Sequence, residues 1–386
     1  MMKDLDSLRR ASQLRGFEYP AGLDLCSNDY LGLARDPRLK RAVRKAVETS
    51  GKMGATGSRL LSGNAREWET LEAEFADFAG TSAVLYFSSG YSANVGLLGS
   101  VLRPGDIAFS DRLNHASLID GIRLSGAEKV IYPHRDLTFL EGALRKHRGA
   151  RGAKVIVTES LFSMEGDFAP LDRLLGLAKD HDAELVVDEA HATGVYGPQG
   201  RGIVAELGIE KAVLATIHPC GKALASVGAF VCGGRELRDY LVNHARTFIF
   251  STAMPAYMAG QIRAALGLVC EAGRERAHLE AIAALLRDSL AAAGVGCGTS
   301  ESQIVPIFAG TNEAALEVAA KLAVDGYAVK AIRPPTVPAG TARIRLSLSS
   351  AIAVEEIGQL IHAIGVAAKC LPRSASVFSF AACPDA

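Results

Sequence analysis

Five short apolar runs between about residue 80 and residue 234, SAVLYF, AKVIVTES, AELVVDEAH, AVLATIH and GAFVCGG, alternate with segments of helical spacing. Strands buried on both faces are apolar throughout, and parallel neighbours need a crossover, so the alternation predicts an α/β domain: a mainly parallel sheet flanked by helices. One crossover can be read in LFSMEGDFAPLDRLLGLAKDH, where a polar turn with Gly166 and Pro170 leads to Leu171, Leu174, Leu175 and Ala178 at helical intervals. In such a sheet the ligand crevice lies at the carboxyl ends of the strands. Residues 81–102 carry no charge over 22 positions, long enough to cross a bilayer. The central SSGYSAN instead reads as a turn between a strand and a helix, so no membrane span is expected.

With 386 residues the chain suggests one large domain and a smaller one. After about residue 255 an Ala/Leu/Arg-rich helical stretch is followed by SQIVPIFAG, another helix, YAVKAIRPPTVPAGTARIRLSLS and a closing helix, the pattern of a small α+β domain. The expected organisation is an N-terminal segment over 1–40, a large domain over 41–255, a small C-terminal domain over 256–369 and a tail, 370–386, without helical or strand period. Forty-two basic residues balance forty-two acidic ones, which implies no nucleic-acid partner. The start, MMKDLDSLRR, has charges where a signal peptide needs an apolar run, so a cytoplasmic protein is expected. Seven scattered cysteines without a CxxC pair read as free thiols, and no HExxH or His/Cys cluster suggests a metal.

Asp188 ends the run ELVVD, and Lys222 follows the run AVLATIH, so both belong at strand exits. Two readings fit: an ion pair, or a lysine that forms a Schiff base beside an aspartate that holds a pyridinium nitrogen protonated. SSGYSAN places Ser89, Gly90 and Tyr91 where backbone N–H groups and a helix N-terminus hold a phosphate, although a glycine turn alone is a weak signal. His115, in a polar turn, either stacks on a flat ring or satisfies a local hydrogen bond. His191 follows Asp188 by three residues in a glycine-rich stretch.

The ordered stretches LCSNDYLGL, GATGSRLLSG, FSSGYSANVG, SDRLNHASLIDG, VTESLFSMEGDFAPL, VDEAHATGVYGPQGRG and IFSTAMP resemble the α-oxoamine synthases. These are pyridoxal 5'-phosphate (PLP) enzymes of the aspartate aminotransferase fold, fold type I, that condense an amino acid with an acyl thioester. The resemblance runs from residue 25 into the C-terminal domain. It implies that Lys222 forms the internal aldimine, Asp188 pairs with the ring nitrogen and His115 covers the ring. His191 and Ser163 would hold the phenolic oxygen side, and the backbone at Gly90 and Tyr91 the phosphate. Ser251 and Thr252 would reach the phosphate from a second subunit, giving a homodimer with shared sites. Arg333 would hold the substrate carboxylate, with Arg15, Asn28 and Thr336 lining the substrate region.

Within that family AIRPPTVPAGTARIRLSL resembles the biotin-pathway member, which implies L-alanine and a pimeloyl thioester, on CoA or acyl carrier protein, as substrates. A sister synthase using glycine or serine, or a PLP-binding protein without catalysis, would share many of these residues. The family usually has a threonine or serine three residues before the lysine, its hydroxyl donating to the phosphate. Here Pro219 stands there, with Thr216, His218, Ser251 and Thr252 as possible substitutes. The basic stretches RLKRAVRK and RKHRGARGAK read either as contacts for an acyl carrier or as solvated faces.

Overall fold

The computed structural model describes residues 1–19 and 21–370, so the tail expected at the C-terminus falls, from residue 371 on, outside the described residues. The chain forms two compact units. One comprises Leu31–Phe162 and Phe168–Gly273; the other gathers, among the described residues, those up to Tyr30, Ser163–Asp167 and 274–370. Where sequence texture set a boundary near residue 255, the first of these runs on through the helix Tyr257–Glu271, whose Gln261 amide donates to the Ala225 carbonyl at 3.1 Å.

The larger unit is built on seven strands: β1 (Ala83–Phe87), β2 (Ile107–Asp111), β3 (Glu128–Tyr132), β4 (Lys154–Glu159), β5 (Glu184–Asp188), β6 (Ala215–Pro219) and β7 (Ala229–Gly233). Their order is β1-β7-β6-β5-β4-β2-β3, with only β7 antiparallel to its neighbours. This is the mainly parallel α/β sheet expected from the alternating runs. Three helices, α1 (Arg66–Ala79), α2 (Gly90–Val101) and α3 (Ala116–Ser125), carry Phe75, Asn94 and Ser117 respectively.

Alternate residues of the strands feed two separate cores. Val155, Val157, Val186 and Ile217 pack with Ala93 and Leu97 of α2 and Leu118 of α3. Phe109, Ile156, Leu185 and Val187 pack with Leu140, Leu171 and Leu174 on the other face. Each Val, Leu, Ile or Phe side chain among them contributes about 1.5–3 kcal/mol on burial, so a one-residue slip in register is heavily penalised. The register therefore fixes the strand ends. Asp188 stands opposite Glu159 and Ile217, and Phe87 and Pro219 both stand opposite Ala229.

The uncharged stretch 81–102 resolves into β1, the turn and α2. Ser89 caps α2: its hydroxyl accepts from the Ser92 N–H at 3.0 Å, and the Ser92 hydroxyl accepts from the Ser89 N–H at 3.0 Å. No helix among the described residues is long and apolar enough to cross a membrane.

In the smaller unit Ile304–Gly310, Ala331–Ile332 and Ala342–Ser347 make an antiparallel sheet with Ala342–Ser347 in the middle. Leu23–Asp24 pairs in parallel with Tyr327–Ala328, which ties the chain's start to this unit. The short piece Ser163–Asp167 joins it through Glu165, paired with the fully buried Arg343 at 2.9 Å, and through Asp167, which accepts from Thr299 at 2.8 Å. Gly166 has φ +74°, and a Cβ there would lie 2.1 Å from the Ile304 carbonyl oxygen, so only glycine fits.

Candidate active site

The carboxyl ends of β1, β2, β5 and β6 deliver Ser89, His115, Asp188 and Lys222 along one edge of the sheet. Asp188 shares its side-chain direction with Val186, toward α2, and is buried. One carboxylate oxygen accepts from the Ala190 N–H at 2.9 Å, the other from the Asn94 amide of α2 at 2.7 Å.

Asn94 spends its second amide hydrogen on the Ser117 hydroxyl at 2.8 Å, and Ser117 meets His115 Nδ1 at 2.7 Å. His115 is the N-cap of α3, and its Nδ1 also accepts from the Ser117 backbone N–H at 3.2 Å. A backbone N–H can only donate, so Nδ1 carries the lone pair and the proton of the neutral ring sits on Nε2. His115 is exposed, yet enough protein surrounds it for burial to lower its pKa. The Asp188 carboxylate opposes this and the Lys222 cation adds to it, so both charges act on the His115 ring.

Lys222 rides a loop closed on itself: the Cys220 N–H donates to the Gly228 carbonyl at 2.8 Å, Ser226 N–H to Cys220 at 2.9 Å and Ala225 N–H to Lys222 at 2.8 Å. Cys220 is fully buried, and burial pushes its thiol far up, so it acts as packing rather than as a nucleophile. Pro219 lies against the start of α2, where a Cβ on Gly90 would come within 3.1 Å of the proline ring. Thr216 and His218 point to the opposite face of the sheet. Thr216 Oγ1 lies 3.0 Å from His218 Nε2, and His218 meets the Phe75 ring edge-on at 5.6 Å. Neither reaches the side where Pro219 meets α2.

Of the remaining expected residues in this unit, His191 is buried in the turn after β5. The Tyr91 hydroxyl is bonded to Asp120, leaving its backbone N–H in the first turn of α2. Ser251 and Thr252 line a narrow cleft with Ser88, Tyr86 and Phe87, next to Thr247, whose hydroxyl donates to the Ser92 carbonyl at 2.7 Å. The basic stretch at 145–154 leads into the amino end of β4, the edge of the sheet opposite Asp188. RLKRAVRK lies on the helix Pro37–Thr49, where only Leu39 is buried. No group of three or more His, Cys, Asp or Glu among the described residues is arranged to hold a metal.

In the smaller unit Asn28 and Ser163 come together around Arg345. Arg345 donates to the Ser163 carbonyl and, at 3.1 Å, to Asn28 Oδ1, which also accepts from Ser347 at 3.0 Å and Tyr30 at 3.1 Å. Three donors on Oδ1 fix the amide so that its NH₂ is turned away from them. A second group joins Arg15 to Thr336 at 2.9 Å and Arg333 to the Ser12 carbonyl. Arg333 Nε is buried with no hydrogen-bond partner among the described residues, an unused donor suited to an anion.

Asn94, Ser117 and Arg345 were not singled out from the sequence. Arg345 had a visible signal: Arg343 and Arg345 stand two apart, alternating with Ala342, Ile344 and Leu346, a pattern that buries two cations on one face. Asn94 had none beyond its place in the turn motif.

The aminotransferase class I and II family matches residues 20–364. The 8-amino-7-oxononanoate synthase of Geobacter sulfurreducens is 47% identical over 84% of this chain and 83% of its own length. Among solved structures, the 8-amino-7-oxononanoate synthase of Francisella tularensis superposes with a TM-score of 0.78 at 29% identity, covering 90% of this chain and 98% of that one. A structure described as SPT with the PLP internal aldimine superposes with a TM-score of 0.84 at 30% identity, covering 90% and 87%. The chain belongs to the aminotransferase class I and II family and, within it, to the α-oxoamine synthases.

Proposed function

We propose that this protein uses PLP to condense L-alanine with a pimeloyl thioester, releasing carbon dioxide and the free thiol, and so forms 8-amino-7-oxononanoate for biotin synthesis. The observation that carries this reading is the buried Asp188 at a strand exit beside the Lys222 loop, with the first turn of α2 on the same edge. Those groups fit a phosphorylated pyridine aldehyde: an acceptor for a ring N–H, an amine for the aldehyde, and helix N–H groups for the phosphate. When bound, PLP supplies an electron-accepting ring that stabilises negative charge at the amino acid's Cα.

Asp188 would hold the ring nitrogen's proton, and Lys222 would anchor the cofactor and serve as the base for the Cα proton at Nζ. His115 would cover the ring, His191 and Ser163 would hold its phenolic side, and the Gly90 and Tyr91 N–H groups would take the phosphate. Ser251 and Thr252 contribute from the second subunit of a homodimer, which works in the cytoplasm. Incubation with L-alanine, glycine or L-serine and pimeloyl-CoA or pimeloyl acyl carrier protein, read as carbon dioxide and product mass, tests the reading. Turnover with glycine or serine and not alanine identifies a sister synthase; no turnover with any pair refutes a condensing enzyme.

Arg333, with Thr336, Arg15 and Asn28, holds the substrate carboxylate and lines the acyl region. A bidentate charged pair is worth about 1.5–3 kcal/mol, so Arg333→Lys should raise the half-saturating alanine concentration about tenfold or more. A second reading has its own support: Arg345 stands against Asn28. If Arg345→Lys produces that rise and Arg333→Lys does not, the carboxylate belongs to Arg345.

Pro219 leaves the phosphate one donor short, with Thr216 and His218 on the other face of the sheet. Restoring a hydroxyl with Pro219→Thr should slow PLP loss on dialysis roughly ten- to a hundredfold, the effect of one charge-assisted hydrogen bond of about 1.5–3 kcal/mol. An unchanged rate means that Ser251, Thr252 and the helix N–H groups already satisfy the phosphate.

A further inference from the structure

Asn94 is a buried amide in the second turn of α2, 1% exposed, and it makes no contact that packing alone would require to be polar. An apolar residue of similar size at this position would sit among Ala93, Leu97 and Leu98. Its two amide hydrogens nevertheless go to two different functional elements, Asp188 at the end of β5 and Ser117 in the first turn of α3. The amide cannot be turned over, because Oδ1 would then face the Asp188 carboxylate. Each later link is directional as well. Ser117 Oγ accepts from Asn94, so its own hydrogen is available for His115 Nδ1, which the Ser117 backbone N–H shows to be an acceptor.

We propose that Asn94 is a positioning residue that joins Asp188 and His115, through Ser117, into one directed hydrogen-bond chain. At one end the chain fixes the orientation of the carboxylate, with Ala190 N–H and Asn94 on separate oxygens and lone pairs left for a ring N–H. At the other the Ser117 hydroxyl adds to the backbone N–H, which already fixes His115 as the Nε2–H tautomer, and sets the plane of the ring. The group that receives the ring nitrogen and the group that covers the ring are thereby aligned by the same amide, on two helices and a strand that share one core. The role rests on the cofactor reading above, since the chain aligns two groups for a bound ring.

The test uses the PLP-loaded enzyme labelled with ¹⁵N-histidine. The resonance pair that disappears in His115→Asn should show Nδ1 unprotonated and Nε2 protonated. The Ser117 backbone N–H keeps the Nε2–H tautomer in either variant, so Ser117→Ala and Asn94→Ala should each shift the His115 Nδ1 resonance without exchanging the tautomer, and lower kcat roughly three- to tenfold with little change in the alanine KM, the effect of one neutral hydrogen bond. Ser117→Thr, which keeps the hydroxyl, should restore both readings. In a His115→Asn background, Ser117→Ala should cost less than about a further twofold, because linked residues are not additive. Protonation of His115 on Nδ1, or effects of Ser117→Ala and His115→Asn that simply multiply, would overturn the chain. Failure of the cofactor reading looks different: after borohydride reduction no pyridoxyl label would be found on Lys222.

Discussion

PLP joined to Lys222 should make the purified protein yellow, and Lys222→Ala is expected to abolish that colour and to lower turnover by about two to four orders of magnitude, the usual contribution of a positioned general base. The loop makes this a clean substitution. Three backbone hydrogen bonds between Cys220 and Gly228 hold its shape without the lysine side chain, and the neighbouring Ala223 and Leu224 are already buried. Ala225 adopts φ +43°, so the turn is set by backbone rather than by the amine. The variant should therefore fold and keep its thermal stability as apoprotein. Borohydride reduction of the wild-type enzyme followed by peptide mapping gives the complementary result. A pyridoxyl group on any lysine other than Lys222 would remove it from the anchoring role.

The parts of this architecture that were legible in advance are those written in local pattern. Strands buried on both faces need unbroken apolar runs, so β1, β4, β5, β6 and β7 announce themselves, and Asp188 is conspicuous because it ends one of them. The turn before α2 is equally local, since Ser89 and Ser92 cap the helix within four residues. Contacts between distant residues were not legible. Asn94 meets Asp188 across 94 positions, and Ser163–Asp167 joins the smaller unit because Glu165 meets Arg343, 178 positions away. Pro219 is an intermediate case. A strand alternates its side chains, so Thr216 and His218 had to face away from Pro219, and the structure adds what they face: each other and Phe75.

That opposite face carries the other large effect, a pair of buried groups whose responses to pH have opposite signs. Thr193 donates its hydroxyl to the Glu189 carbonyl at 2.7 Å, so toward His218 Nδ1, 2.9 Å away, it can only accept. His218 therefore keeps its proton on Nδ1 and accepts from Thr216 at Nε2, leaving no site for a second proton. Burial, aided by the Arg201 cation, lowers its pKa from 6.5 to about 3. Between those values the unfolded chain binds a proton that the native state refuses, so stability present above pH 6.5 is lost as pH falls, in total on the order of 5 kcal/mol. Glu189 behaves in reverse. Burial raises its pKa from 4.5 to about 7, against the Val204 N–H, the Ser160 hydroxyl and the Ile203 N–H that favour the carboxylate. Its stability is complete below pH 4.5 and is lost as pH rises through 7, on the order of 3 kcal/mol. From pH 4.5 to 6.5 the two slopes largely cancel, and single variants separate them. Relative to wild type, His218→Asn should gain roughly 3 kcal/mol as pH is lowered from 6.5 to 4.5, on top of a constant loss from its two threonine hydrogen bonds. Glu189→Gln should gain as pH is raised over the same interval. Denaturant unfolding of the three proteins at pH 4.5, 5.5, 6.5 and 7.5 measures both. A stability difference between His218→Asn and wild type that stays flat across that range would mean that His218 takes up a proton in the folded protein, and that the Thr193 and Thr216 hydroxyls turn to accommodate it.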